Sequence, residues 1–189
     1  ALAANLGAVA AEGAKLAFAQ ARRAGETTLD RSLADTVADA ARTFGVIADY
    51  WRADPKRALD AQSAITGGFI DLWARTLDRL TGKPAEPLVP VDPQDKRFAD
   101  PLWRENPLFD FLRQAYGLSA NWAKKLIDDA ASVDPQTRER ANFYLRQIAG
   151  ALSPSNFLPT NPELLRETFR ENGENLVRGV KMLAGDIEA

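Results

Sequence analysis

Residues 106–128, with the sequence NPLFDFLRQAYGLSANWAKKLID, decide the fold. The Asn106 side chain can accept a free backbone N–H at a helix start, and Pro107 loses nothing there because its missing donor would be unpaired anyway. Beyond them, apolar or small side chains recur at spacings of three and four residues, at Leu108, Leu112, Ala115, Ser119, Trp122 and Leu126. This spacing places the side chains on one face and predicts an amphipathic helix.

The same start signal occurs at three further places in the chain. Asp54, Asp134 and Asn161 each precede a proline, and an apolar stripe follows each pair. The last stripe runs from Leu165 to Leu183 and predicts one helix. We therefore predict Asp54, Asn106, Asp134 and Asn161 as helix caps. At the last start, Thr160 and Glu163 also have the spacing of a capping box, so Thr160 is the alternative cap.

The remaining pattern is helical as well, which makes the predicted fold class all-α with about six helices. A stripe runs from Leu33 to Trp51, a weaker Ala-rich pattern covers residues 2–24, and no segment alternates with a two-residue period. Residues 29–80 are predicted to form a hairpin of two antiparallel helices. Gly67 and Gly68 lie inside the second of them and predict the close approach of a neighbouring helix.

Composition excludes several classes of function. The 189 residues include no Cys and no His, so thiol or imidazole catalysis and Cys/His zinc sites are excluded, and we assign no catalytic, cofactor-binding or metal-binding residue. The 24 basic and 26 acidic residues are balanced, which argues against a nucleic-acid partner. No run approaches the roughly 20 apolar residues of a transmembrane span.

Residues 81–94, TGKPAEPLVPVDPQ, mark the predicted domain boundary. Prolines at every third position, at 84, 87, 90 and 93, favour an extended path without internal hydrogen bonds. We interpret this segment as a solvated linker between an N-terminal helical extension, residues 1–80, and a C-terminal helical unit, residues 95–189. A Pro-x-x-Pro ligand for an SH3-type domain is the alternative interpretation.

Residues 153–162, SPSNFLPTNP, place an apolar pair in a segment that is rich in helix breakers. Asn156 can satisfy backbone groups of the turn, while Phe157 and Leu158 either insert into a neighbouring domain or fold back under their own helices. Trp103 and Arg104 raise the same two possibilities. Trp103, Arg104, Asn156, Phe157 and Leu158 are therefore our candidate residues for docking between domains.

Three segments carry a family resemblance. DKRFADPLWRENPLFDFLRQAYGLSANW at residues 95–122, SPSNFLPTNPELL at 153–165 and ENGENLVRGVKML at 171–183 resemble the N-terminal region of class I poly(3-hydroxyalkanoate) synthases. The resemblance covers residues 92–189, and residues 1–91 look like the more variable extension of such proteins. Because the chain opens on Ala1 in a helical pattern, we expect it to be a piece of a longer protein.

The resemblance implies a parent acyltransferase that polymerises (R)-3-hydroxyacyl-CoA into storage polyester with release of CoA. Its chemistry belongs to a downstream α/β-hydrolase-like domain with a Cys nucleophile, and that motif is not in this sequence. The N-terminal region of such synthases supports the catalytic domain, dimerisation and contact with the polyester granule or its associated proteins. The implied location is cytoplasmic, at the granules, and no cofactor is implied.

Two functional classes follow from the sequence. The first is a non-catalytic helical domain of a polyester synthase, which acts through contacts with other proteins and the granule surface. The second is a free-standing helical adaptor or phasin-like protein that lies on the granule by an amphipathic face. The apolar stripes of residues 29–80 need a covering partner, and we expect a second copy of the chain or a lipid-like surface. The helix of residues 2–24 and the C-terminal unit are the alternative, internal partners.

Overall fold

The computed structural model describes residues 28–188, and the side chains of residues 34–182. This part contains seven α-helices and no strand, which confirms the all-α prediction. The helices are α1 (Thr28–Arg52), α2 (Pro55–Leu80), α3 (Leu102–Glu105), α4 (Pro107–Asp128), α5 (Pro135–Ala151), α6 (Pro162–Arg170) and α7 (Glu174–Glu188). Short 3-10 turns cover Lys96–Phe98, Pro154–Asn156 and Leu158–Thr160. The predicted helix at 2–24 lies outside the described residues.

The chain forms two compact units, and the larger one comprises Val37–Pro162. The described part of the smaller unit consists of residues 28–36 and 163–188. This division differs from the predicted boundary at 81–94, because α2, the proline-rich segment and α4 all belong to the larger unit. Long-range packing between α2 and α4 outweighs the local proline signal.

Helix α4 is the scaffold of the larger unit and packs against α2, α3 and α5. The indole N–H of Trp122 on α4 donates to the carbonyl of Ala61 on α2, at 2.9 Å. The indole N–H of Trp51 on α1 likewise donates to the carbonyl of Leu126, at 3.0 Å. Both bonds let a large aromatic side chain pack against a helix while its polar atom stays satisfied.

Helices α1 and α2 occupy the range of the predicted hairpin, and each of them also packs on later helices. The apolar face of α1 packs on the end of α4 and on α5, in a core of Ile47, Ile127, Ala130, Val133 and Ala141. The buried face of α2, which includes Leu72 and Thr76, packs on α4 instead. The α1 stripe is therefore partly buried against later helices, at Phe44, Ile47 and Trp51. The α2 stripe is not: Trp73, Leu77 and Leu80 stay more than half exposed.

Glycine permits the close approach of α2 to α4 at one position. A Cβ at Gly68 would lie 3.1 Å from Leu118 Cδ1, whereas a Cβ at Gly67 would meet nothing within 4 Å. Only the second glycine of the predicted pair is thus at a helix contact. Its missing side chain lets Leu118 pack directly on the backbone of α2.

The smaller unit contains a sharp turn that divides one predicted helix into two. Asn172 has φ of 51° and Gly173 has φ of 85°, so both lie in the left-handed region that ends a helix. The N–H of Gly173 donates to the carbonyl of Thr168 at 2.8 Å, and the Asn175 side-chain amide donates to the Thr168 hydroxyl at 2.9 Å. The apolar spacing predicted a single helix from Pro162 because it continues across this turn.

Candidate docking surface

An apolar groove lies between α4 and α5 in the larger unit. Its volume is about 450 Å³, and its lining consists of Leu112, Ala115, Tyr116, Ser119, Ala120, Ala123, Leu145, Ile148, Ala149, Leu152 and Pro154. None of these side chains carries a charge. Ile148 and Leu152 remain 45% and 63% exposed. The groove can therefore accept an apolar element of another domain without desolvating an ion.

The loop of residues 153–161 adjoins this groove and is held by its own polar side chains. The Asn156 amide donates to the carbonyls of Gly150 and Ala151, at 2.7 and 3.1 Å. The Thr160 hydroxyl donates to the carbonyl of Pro154 at 2.7 Å, and further bonds join Asn161 to Ser155 and the hydroxyls of Ser153 and Ser155. These bonds present Phe157, which is 46% exposed, from a fixed backbone.

The candidate docking residues occupy different environments. Trp103 is 1% exposed and packs edge-on against Phe98 and Phe109, so it is a core residue rather than part of a surface. Arg104 is exposed, and its carbonyl accepts a hydrogen bond from Arg79. Asn156 binds the end of α5 and Leu158 is half-buried. Of the five, Phe157 presents the largest apolar surface to an outside partner.

Side-chain cap bonds are described at three of the four predicted caps. The side-chain oxygen of Asp54 accepts from the Arg57 N–H, that of Asn106 from Leu108 and Phe109, and that of Asp134 from Thr137. The backbone bonds to Arg57 and Thr137 are the largest causes that lower the pKa values of Asp54 and Asp134. Asn161 precedes α6, and its amide donates to the carbonyl of Ser155 at 2.7 Å.

A buried polar network on α4 was missed by the sequence analysis. Asp110 and Arg113 are nearly inaccessible, and Arg113 donates to the Asp110 carboxylate at 2.7 Å. Gln114 donates to the same carboxylate at 2.6 Å, and Arg79 from α2 forms an ion pair with it. The network could have been predicted from the spacing of positions 110, 113, 114 and 117, which lie on one helix face.

This network ties the proline-rich segment to α4. The Val89 N–H donates to the Gln114 side-chain oxygen at 2.9 Å, and Arg113 donates to the Val89 carbonyl at 3.1 Å. Arg75 on α2 donates to the Glu86 carbonyl at 2.7 Å. The four prolines remain exposed, as a solvated linker requires, but the backbone between them is bonded to the helices. We call residues 84–98 the strap.

The end of the strap is joined to both groove helices. Arg97 forms two hydrogen bonds with the Asp95 carboxylate, at 2.8 and 2.7 Å, and these bonds are the main reason that the pKa of Asp95 is lowered. Arg97 also donates to the Tyr116 hydroxyl at 3.0 Å. That hydroxyl donates in turn to the carbonyl of Ala149 on α5, at 3.0 Å.

A second concavity, of about 490 Å³, lies between the α1–α2 junction and α4. Its lining carries three acidic and three basic side chains, and two of the pairs are in contact: Arg57 lies 3.3 Å from Asp54, and Lys125 lies 2.6 Å from Asp129. Such pairs leave little net charge to recognise an ionic ligand. Within residues 28–188, the structure contains no group of acidic side chains that is arranged to hold a metal ion.

The described residues thus form a helical structure with an uncharged apolar groove between α4 and α5. Among its described helices, none combines the length and apolarity needed to cross a bilayer. Residues 94–189 match the protein family described as "Poly-beta-hydroxybutyrate polymerase (PhaC) N-terminus". The chain belongs to this family, which confirms the resemblance derived from its motifs.

Several curated proteins are similar to the chain. A poly(3-hydroxyalkanoate) polymerase subunit PhaC of Rhizobium meliloti is 49% identical over 168 residues, which cover 89% of this chain and 27% of the relative. The poly(3-hydroxyalkanoate) polymerase of Methylorubrum extorquens is 47% identical, over 82% of this chain and 26% of its own length. The chain therefore spans about a quarter of these relatives. The comparison with solved structures gave no significant match.

Proposed function

We propose that the chain is the non-catalytic N-terminal helical domain of a poly(3-hydroxyalkanoate) synthase, and that the α4–α5 groove docks the catalytic part of the same polypeptide. The parent enzyme polymerises (R)-3-hydroxyacyl-CoA into storage polyester. The chain itself supplies no thiol and no imidazole, the groups on which acyl transfer of this kind depends. Its role is to bind and support the domain that carries them.

The observation that carries this proposal is the uncharged groove, which is lined by Pro154 of the loop that also exposes Phe157. An aromatic anchor with a fixed backbone loses little conformational entropy on binding, so most of the free energy gained by its burial contributes to affinity. The relatives are about four times longer than the region matched here. A partner on the same polypeptide is present at high effective concentration, which favours it over partners that diffuse freely.

The test uses the full-length synthase with a protease site introduced downstream of residue 189. After cleavage, the wild-type parts are expected to co-elute on size exclusion, and Ile148→Glu is expected to separate them because it places a charge in the groove. Phe157→Ala should weaken the association by about 1–3 kcal/mol, as measured by titration calorimetry. Gln147→Glu adds the same charge at an exposed neighbouring position and serves as the control. Unchanged co-elution of Ile148→Glu would refute the docking role.

A second contact surface is proposed on α2. Ile70, Trp73, Leu77 and Leu80 are each more than half exposed, and their spacing of three and four residues aligns them in one stripe. This stripe supports a contact with a second copy of the synthase or with the polyester granule, which would place the protein at cytoplasmic granules. Similarity to polymerases, rather than to coat proteins, favours this synthase domain over a free-standing phasin-like protein.

Point variants are the appropriate test, because removal of α2 would also break the buried Arg79–Asp110 pair. Leu77→Glu is expected to reduce self-association in sedimentation velocity, or to reduce co-sedimentation with polyester particles. Gln147→Glu again controls for the added charge. If Leu77→Glu changes neither measurement, the α2 stripe is not a contact surface of this kind.

A further inference from the structure

We propose that the strap, residues 84–98, regulates the α4–α5 groove through Tyr116, so that release of the strap weakens docking. This inference rests on the function proposed for the groove and adds a control element to it. The residue that carries the coupling is Tyr116, which belongs to both structures. Its side chain lines the groove and also a cavity of about 240 Å³ beneath the strap.

The hydrogen bonds at Tyr116 form a continuous path from the strap to α5. Arg97 donates to the Tyr116 hydroxyl, and the hydroxyl donates to the Ala149 carbonyl, each at 3.0 Å. A hydroxyl that accepts from a cation becomes a stronger donor, so the first bond strengthens the second. With Arg97 in place, the hydroxyl proton points toward α5 and holds one wall of the groove to the other.

Packing supports the same coupling. Phe98 at the end of the strap is buried between Trp103 and Tyr116, at ring-centroid distances of 4.9 and 5.9 Å. Next to Tyr116, a Cβ at Gly117 would lie 2.9 Å from Val89 Cγ1, so the strap rests directly on the backbone of α4 there. If the strap leaves α4, Tyr116 loses a ring contact and a donor together. The Tyr116 side chain is then free to change rotamer and alter the groove.

The strap is a suitable control element because it has few anchors. Its described polar attachments to the helices are at Glu86, at Val89 and at Arg97. Its four prolines cannot form backbone N–H bonds that would hold it more tightly. Loss of the Arg97 attachment therefore leaves the end that touches Tyr116 held only by the packing of Phe98, while the Val89 attachment keeps the rest in place.

The test uses the full-length synthase and measures two quantities separately: amide hydrogen exchange at the groove, and the association of the two parts after cleavage. Arg97→Met removes the donor and keeps an apolar stem, and Tyr116→Phe removes the hydroxyl and keeps the ring. Each variant is expected to raise the rate of amide hydrogen exchange at residues 149–153 and to raise the dissociation constant of the cleaved parts. Both changes should be about threefold to tenfold, which is the usual effect of one hydrogen bond. Arg97→Lys keeps a donor and the charge, so its exchange rate and its association should lie between those of Arg97→Met and the wild type.

Arg75→Met is the matched control, because it releases the strap only at Glu86, away from Tyr116. The double variant of Arg97→Met and Tyr116→Phe should be no worse than either single variant, since both break the same path. Unchanged exchange at 149–153 in Arg97→Met would overturn the coupling, whatever the docking result. If exchange rises in Arg97→Met but Ile148→Glu leaves association intact, the coupling between strap and groove is supported and the docking function of the groove is refuted.

Discussion

The phenolic hydroxyl of Tyr144 on α5 donates a hydrogen bond of 2.6 Å to the carboxylate of Asp39 on α1, across 105 positions of sequence. Arg140 lies 3.6 Å from the same carboxylate. The Tyr144 bond is the largest cause that holds the pKa of Asp39 below its ordinary value. This contact joins α1 to α5 and accounts for part of the packing between these two helices.

Tyr144→Phe is expected to lower the melting temperature at neutral pH and to raise the pKa of Asp39. A carboxyl whose pKa is lower in the folded state stabilises the fold above its unfolded pKa of about 3.9, and this stabilisation is lost as the pH falls through the folded pKa. The melting difference between the two proteins should therefore shrink below about pH 4. Thermal melts from pH 7 to pH 3 measure it, with Tyr50→Phe as the control. A pH-independent difference would contradict the assigned cause.

Asp110→Asn is expected to destabilise the larger unit by about 3 kcal/mol, because Arg113 would keep its buried charge without the carboxylate. The matched control is Asp78→Asn, which removes an exposed partner 3.4 Å from Lys83 and should cost less than about 1 kcal/mol. Urea unfolding measures both changes. Equal effects of the two variants would show that the α4 network does not stabilise the fold.

Gly117→Ala and Gly67→Ala are expected to differ although both lie inside helices. Alanine gains up to about 1 kcal/mol of helix propensity over glycine at each position. Position 67 is open, so its variant should realise this gain, whereas at 117 the new methyl group must displace Val89. Urea unfolding should show a smaller or reversed gain for Gly117→Ala, together with faster tryptic cleavage after Arg97. Identical behaviour of the two variants would mean that Val89 yields freely.

Asn106→Ala should cost about 1 kcal/mol, because the first turn of α4 would lose the side-chain acceptor of Leu108 and Phe109. Asn106→Asp retains an oxygen in the same place and is expected to remain close to the wild type. Denaturant titration of the three proteins measures the difference. A destabilised Asp variant would indicate a role for the Asn106 amide group other than capping.

Trp103→Ala is expected to reduce mainly the stability of the chain, and Phe157→Ala mainly its association with the catalytic part. Trp103 is buried, so its truncation is expected to reduce stability by about 3–5 kcal/mol. Phe157 is half exposed, and its truncation should reduce stability by less than 1 kcal/mol or so while weakening association with the catalytic part. Thermal melting of the isolated chain gives the stability of each variant. A steep loss of stability in Phe157→Ala would place the loop in the core of its own domain.

Three of the caps and the helical class were predictable because their causes are local. The bond from Asp54 to the Arg57 N–H, or from Asp134 to Thr137, spans three residues, so the residue types alone indicate it. The three- and four-residue spacing of apolar side chains is equally local, and it predicted an all-α chain correctly. The turn at Asn172 and Gly173 was missed because the apolar spacing passes through it without interruption.

By itself, therefore, the sequence determined where most of the described helices begin, that the fold is all-α, and which family the motifs indicate. Tertiary structure alone decided that α1 packs on α5, that the strap is bonded to α4, and that Trp103 is buried while Phe157 is presented. These outcomes depend on contacts between distant residues, such as Val89 with Gln114 or Tyr144 with Asp39. An amphipathic stripe requires burial but does not specify its partner, which is selected by the complementary surfaces that the folded chain brings together.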